Sequence, residues 1–196
     1  MPRTTSFTPE HLVDRALMAF WTGGYHATSM DALVAATGVS RHGIYKNFPD
    51  KHALYLACFD AYQAAVVSPA FDVVEAPDAN LGAIAQYFET QISAAETAGL
   101  PGPGCFVANA ATEVAPHDLA TAAMGAAHND RLRAGFANAL RNALPHLTDP
   151  ARDALADACV VFATGVWSLS RVTTDPATLR TAVEAFLQTL KPESQP

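Results

Sequence analysis

The stretch from Ser29 to Phe48, SMDALVAATGVSRHGIYKNF, constrains the fold most, because two short helices meeting at a sharp turn satisfy all of its features at once. Met30, Leu33 and Val34 fall at helical spacing on one face, and Ser29 or Thr28 can cap that segment. Thr28 and Asp31 also fit a capping box. Gly38 offers the positive φ that a tight turn needs, Val39 is an apolar plug between the helices, and Ser40 is an N-cap for the second. Ile44 and Phe48, four apart, form the buried side of that second helix.

Its remaining side chains suit a duplex. Arg41 can make bidentate bonds to guanine, His42 can donate or accept, and Tyr45 and Lys46 lie one turn on, at phosphate height. Thr28, Ser29, Ser40 and Lys51 complete the residues expected at DNA. A plain helical hairpin in a larger helical protein would explain the apolar spacing but not Tyr45 and Lys46 beside the Gly38 turn. The run Thr28-Ser29-Met30, Gly38-Val39-Ser40, Ile44-Tyr45, Phe48, Lys51 and Leu54 resembles the DNA-binding segment of the TetR family of transcriptional regulators. Two positions depart from that pattern. His42 stands where the family often has Gly, Ala or Pro, which alters what reaches the bases. Gly43 lies inside the helix, where glycine costs roughly 1 kcal/mol against alanine, and is read as letting the backbone approach DNA closely.

The whole chain is expected to be all-α, because its 13 prolines and 11 glycines punctuate Ala-rich runs and no strict alternation of β-branched residues occurs. Half the residues are hydrophobic and 16% are charged, so the chain is globular and ordered. The expected division is a three-helix, helix-turn-helix DNA-binding domain at residues 1–50 and a larger helical ligand-binding and dimerisation domain at 51–196. The net charge of −7 is uneven. Residues 1–52 hold five basic and four acidic side chains, and the remainder seven and fifteen, so the DNA-facing part escapes the acidity. A surplus of one positive charge predicts few phosphate contacts per protomer. Neither a leader-like apolar segment nor a run of about 18 uncharged apolar residues occurs, so a cytoplasmic protein without a membrane partner is expected. Cys58, Cys105 and Cys159 are too scattered for a disulfide framework or a CxxC metal site, and no cofactor or metal is expected.

Residues 1–6 read as a polar tail. Thr8-Pro9-Glu10 starts a helix whose Leu12, Val13, Ala16, Leu17 and Phe20 follow a 3.6 period until Gly23-Gly24. Trp21 and Tyr25 read as core or as phosphate-side contacts. Asp50 caps a helix from Lys51 to Val67, a lever spanning about 25 Å, which Pro69 is expected to stop. Residues 68–80 then form a loop with Phe71, Val73 and Val74 tucked in, and Asn80 caps a helix over 81–98. The run Gly99 to Gly104 is a break or a mobile flap. Helices follow over 105–114, from Pro116 to Leu144, over 151–172 behind an Asp149 cap, and over 177–190 behind Asp175. The phrase from Gly104 to Asp118, GCFVANAATEVAPHD, is similar to one in the ligand-binding domains of a branch of the TetR family. The helix holding Ala158, Val161, Phe162, Ala163, Gly165, Val166 and Trp167 is apolar on more than one face, which predicts a homodimer built on the last two helices.

A cavity among the middle helices is the expected regulatory site, taking a lipophilic or electrophilic small-molecule effector. Tyr87, Phe88, Phe106, Phe162 and Trp167 are its candidate aromatic wall, with Met124 and His128 beside them. Asn109 and Glu113, four apart, need partners if buried, and the options are Arg131, Arg133, water or a ligand. Cys105, in the first turn of a helix after a Gly/Pro loop, is the candidate reactive thiol, since backbone N–H groups there favour thiolate. Its bland alternative is a small buried hydrophobe. A thiol enzyme drawing on Cys105, Glu113, His117 and His128 has no local signature behind it, so no catalysis is expected. The resulting expectation is a ligand-responsive repressor, bound as a dimer to near-palindromic double-stranded operator DNA and released by a small molecule, with thiol-based sensing through Cys105 as the alternative.

Overall fold

In the computed structural model, which describes residues 8–191, every regular element is helical. The polar tail expected at residues 1–6 lies outside the described residues. Helix α1 (Pro9–Gly23) starts where Thr8 Oγ1 accepts the His11 N–H at 3.4 Å, and it buries the stripe its period predicts. Helix α2 (Met30–Thr37) ends on Gly38 at φ 72°, a left-handed residue that turns the chain into α3 (Arg41–Asn47). Ser29 Oγ accepts the Ala32 N–H at 3.1 Å, so Ser29 is the cap. Thr28 does not cap. Its hydroxyl donates back to the carbonyls of Gly24 at 2.6 Å and Ala19 at 3.3 Å, and no Thr28–Asp31 capping box forms. Ser40 caps α3, accepting the Gly43 N–H at 3.1 Å.

Asp50 caps α4 (Lys51–Tyr62), accepting the Ala53 N–H at 2.7 Å. Beyond it the loop expected over residues 68–80 is shortened to 76–80: a π-helical turn (Gln63–Val67) leads into α5 (Ser68–Glu75). Proline lacks an N–H and crowds the carbonyl four residues back, which would break an α register. The wider π turn ends before it, and Pro69 falls in the first turn of the next helix, where a missing N–H costs nothing. Ala70, Phe71 and Val74 are then buried by α5 rather than merely tucked under a loop.

Helix α6 (Leu81–Ala98) buries Ile84, Tyr87, Phe88 and Ile92, as its spacing predicts. The Gly99–Gly104 break is tied down: the Gly102 N–H donates to Ser170 O at 3.1 Å, Trp21 Nε1–H to Gly104 O at 3.0 Å, and Asn109 Nδ2 to Pro103 O at 2.9 Å. It is a fixed strap, not a flap. After it come α7 (Phe106–Glu113), a 3-10 turn (Ala115–His117), α8 (Leu119–Ala143), α9 (Asp149–Leu169) and α10 (Pro176–Thr189). Asp118 and Asp175 cap α8 and α10. Asp149 does not cap α9; it occupies the first turn and pairs with Arg152.

Two aromatic clusters organise the interior. Phe71 of α5 meets Tyr87 of α6 and Phe136 of α8 edge-on, both at 5.2 Å between ring centroids. Phe106 of α7 meets Phe59 at 5.0 Å, Tyr55 at 5.4 Å and Tyr62 at 5.6 Å, all from α4. The second cluster joins the N-terminal helices to the rest.

Candidate nucleic-acid interface and the cavity behind it

Helix α3 has one inward side chain and a polar outer face. Ile44 has no exposed surface, whereas Arg41, His42, Tyr45 and Lys46 are exposed, as are the capping residues Ser29 and Ser40. Arg41 Nη2 lies 2.8 Å from Asp31 Oδ1, linking α3 to α2 across the turn. Gly43 has a reason within the protein: a Cβ there would lie 2.7 Å from Val39 Cγ1, so glycine seats the first turn of α3 on the apolar plug.

Two residues expected at DNA are engaged inside. Thr28 is buried. Lys51 Nζ donates to the carbonyls of Tyr25 at 2.7 Å and Thr28 at 2.9 Å and sits 4.2 Å over the Tyr25 ring. Burial lowers the Lys51 pKa, and the Glu113 carboxylate works against that shift. Standing at the start of α4, Lys51 faces carbonyls of the α1–α2 turn, so it holds that turn together.

The same turn receives α7. Glu113 Oε2 accepts the Tyr25 N–H at 3.0 Å and Oε1 accepts the His26 N–H at 2.8 Å. Gly24, at φ 83°, permits this approach, since a Cβ there would stand 3.0 Å from Glu113 Oε2. Beside this clamp, His52 Nε2 lies 3.0 Å from Asp118 Oδ2. Trp21 packs edge-on against Tyr62 at 5.1 Å, and Tyr25 packs on Tyr55 at 4.7 Å. Trp21 and Tyr25 therefore belong to the joint, not to a phosphate-facing surface. Glu113 itself meets neither Arg131 nor Arg133, and Asn109 is likewise accounted for by protein, with Oδ1 accepting from Arg171 Nη1 at 2.6 Å.

Behind the joint lies a cavity of about 900 Å³ between α1, α4 with its π turn, α6, α7, α8 and α9. Of the side chains expected there, Tyr87, His128, Trp167 and Cys105 line it. The others do not. Phe106 is in the joint cluster, Phe88 packs on Phe162 at 5.6 Å, and Phe162 stacks on Phe186 of α10 at 4.0 Å. Met124, half-buried, and Asn109 and Glu113 are outside the lining. The lining that sequence reasoning missed comes from Met18, Trp21 and Tyr62, and from alanine and glycine faces such as Ala94, Ala95 and Ala98 of α6 and Gly125 and Ala126 of α8. Their signal was small residues at helical spacing, which leave room rather than fill it. Among the described residues of this lining none carries a formal charge.

Cys105 is the N-cap of α7, its Sγ accepting the Ala108 N–H at 3.4 Å. Burial nonetheless pushes its thiol pKa up, against hydrogen bonds from the Tyr62 hydroxyl and the backbone that pull it down. The thiolate expected from the helix terminus is corrected accordingly: desolvation outweighs the N–H groups. Cys58 and Cys159 are core, and burial pushes the Cys159 thiol up to about 12. The enzyme constellation is not assembled, with Glu113 clamped on the turn and His117 exposed.

This arrangement defines a helix-turn-helix protein whose reading head is locked to a helical body that contains an uncharged cavity. Residues 12–58 match the family model described as bacterial regulatory proteins, tetR family. A TetR transcriptional regulator from Chloroflexus aurantiacus is 26% identical, with 92% of each chain covered and a TM-score of 0.77. A cysteine mutant of the TetR family regulator CifR, complexed with 26bp double-strand operator DNA, shares the fold with a TM-score of 0.78 at 20% identity, covering 95% of this chain and 98% of that one. The HTH-type transcriptional repressor ComR of Escherichia coli is 32% identical over 116 residues, 58% of this chain and 54% of that protein. The uncharacterized HTH-type transcriptional regulator YezE of Bacillus subtilis is 27% identical over 118 residues, 60% of each. The match thus spans less than two thirds of the length of these two curated relatives. Over residues 12–58 the chain thus carries the DNA-binding segment of TetR family transcriptional regulators, and its fold as a whole is similar to theirs.

Proposed function

We propose that this protein is a cytoplasmic, homodimeric repressor that binds a near-palindromic operator and is released when a small molecule fills the cavity. The observation that carries the reading is the outward set Arg41, His42, Tyr45 and Lys46 on a helix whose inner side is closed by Ile44. Residues 1–50 form the DNA-binding part and 51–196 the effector and dimer part in this reading, although α4 packs on α1 and bridges the two. Pairing is supported by an exposed stripe of small and apolar residues on α9: Ala154, Ala158, Val161, Gly165 and Leu169 recur at helical spacing. Val161 is 72% exposed and a Cβ on Gly165 would meet nothing within 4 Å, so a second copy can approach closely. Two copies of α3 then occupy successive major grooves about 34 Å apart. Ligand in the cavity acts through Glu113 on the α1–α2 turn and through α4, favouring a pairing that misplaces the two reading heads.

Binding to duplexes selected from a random pool tests this. Arg41→Ala is expected to cost roughly 1 to 3 kcal/mol and to relax preference at one base pair, and Lys46→Ala to weaken all sequences alike and flatten the salt slope by about one unit. Equal losses on every duplex for both variants would sink the assignment of Arg41 to a base. Val161→Glu is expected to leave a monomer in sedimentation that has lost operator affinity, and an unchanged dimer would refute the α9 interface.

A further inference from the structure

His128 is a hydrogen-bond donor whose polarity is set from outside the cavity. Arg131 is held by Glu75 in a two-pronged ion pair, Nε to Oε1 at 2.8 Å and Nη2 to Oε2 at 2.7 Å. Its remaining arm, Nη1, donates to Ser68 Oγ at 3.0 Å and Gln63 Oε1 at 3.2 Å. A guanidinium can only donate, so Gln63 must turn its oxygen to Arg131 and its NH₂ group the other way. That NH₂ group stands 2.8 Å from His128 Nδ1. Nδ1 therefore accepts, the imidazole is neutral, and the ring proton sits on Nε2. Gln63 belongs to the π turn ahead of Pro69, so the irregularity that closes the expected Lys51–Val67 helix also places this relay.

His128 is 8% exposed and lines the cavity, and Nε2 has no partner among the described residues. An accessible N–H with no protein partner, on a side chain that lines a space without charged walls, can be met by an acceptor on whatever fills that space. A carboxylate or an ammonium group would be left uncompensated there. Resting on the reading of this cavity as the effector site, we propose that the effector is a neutral, lipophilic molecule carrying a carbonyl-type oxygen that accepts the His128 Nε2–H bond. Gln63, Arg131 and Glu75 act as positioning residues behind it.

A pair of probes matched in shape tests the claim: β-acetylnaphthalene, a ketone, and β-isopropylnaphthalene, a hydrocarbon. Both are titrated against the full chain by quenching of Trp21 and Trp167, which line the cavity. The ratio of ketone to hydrocarbon affinity is expected to fall about fivefold in His128→Phe, the worth of one hydrogen bond. An unchanged ratio would overturn the role of His128 while leaving the cavity as a binding site. Binding of neither probe to the wild-type chain would overturn the cavity reading and this proposal with it. Nitrogen NMR of the wild-type chain, independent of how the variant folds, should find Nδ1 unprotonated and Nε2 protonated, with Nε2 shifting for the ketone alone. The opposite tautomer, or equal shifts with both probes, would refute the assignment.

Discussion

Helices α3 and α7 are nearly equal in length, and they stand in opposite relation to the molecule. Helix α3 buries Ile44 and gives the rest of its side chains to solvent; α7 buries Phe106, Val107 and Ala110, sets Cys105 on the cavity wall and sends Glu113 to the α1–α2 turn. A surface reader can change its side chains at little cost to stability, because few of them have protein partners. A helix engaged on most sides, with only Ala111 and Thr112 exposed, cannot change its inward residues without altering the joint, the cavity or both. The contrast separates residues that face solvent from residues that hold the N-terminal helices to the rest of the molecule.

The largest effect expected from that contrast is on packing. Phe106→Ala empties the centre of the joint cluster and should cost about 3 to 5 kcal/mol in urea unfolding, whereas Tyr45→Ala on α3 should cost under about 1 kcal/mol. Comparable losses would erase the distinction between the two helices.

Next in size is a pH dependence seated behind α7. Burial, helped by Arg131, holds the His128 pKa down to about 4 from the ordinary 6.5. The folded chain then binds fewer protons than the unfolded chain between those values, so this contribution is complete above pH 6.5 and is lost as pH falls towards 4. Its size is about 3 kcal/mol. Unfolding free energies of the wild type and His128→Phe across that window should differ in slope, and parallel curves would contradict a neutral, buried imidazole.

Smaller again is the clamp. Glu113→Gln keeps the shape, removes the charge and leaves one amide oxygen for two N–H donors, a loss of about 1 to 2 kcal/mol. Hydrogen exchange at the Tyr25 and His26 amides should accelerate roughly tenfold. Unchanged protection there would mean that α7 does not grip the reading head through this carboxylate.

Most helices were legible in the sequence because their causes are local. Ser40, Asp50, Asn80 and Asp175 cap where a short polar side chain precedes a periodic run, and Gly38 turns where the apolar stripe changes direction. Pro69 misled because its meaning depends on the turn before it, and a π turn has no distinct composition. The contact that requires glycine at Gly43 was not legible, because the distance of its Cα from the Val39 side chain is set by how the turn folds.

The sequence by itself determined the all-helical architecture, the helix-turn-helix and the outward polar face of α3, since each follows from spacing within a few residues. Only the tertiary structure decided that Glu113 and Lys51 grip one turn, that Thr28 faces inward, and that His128 lines an uncharged cavity. Backbone amides and carbonyls are the same at every residue and leave no mark in the sequence, and a void is the space that small residues on separate helices leave when those helices meet.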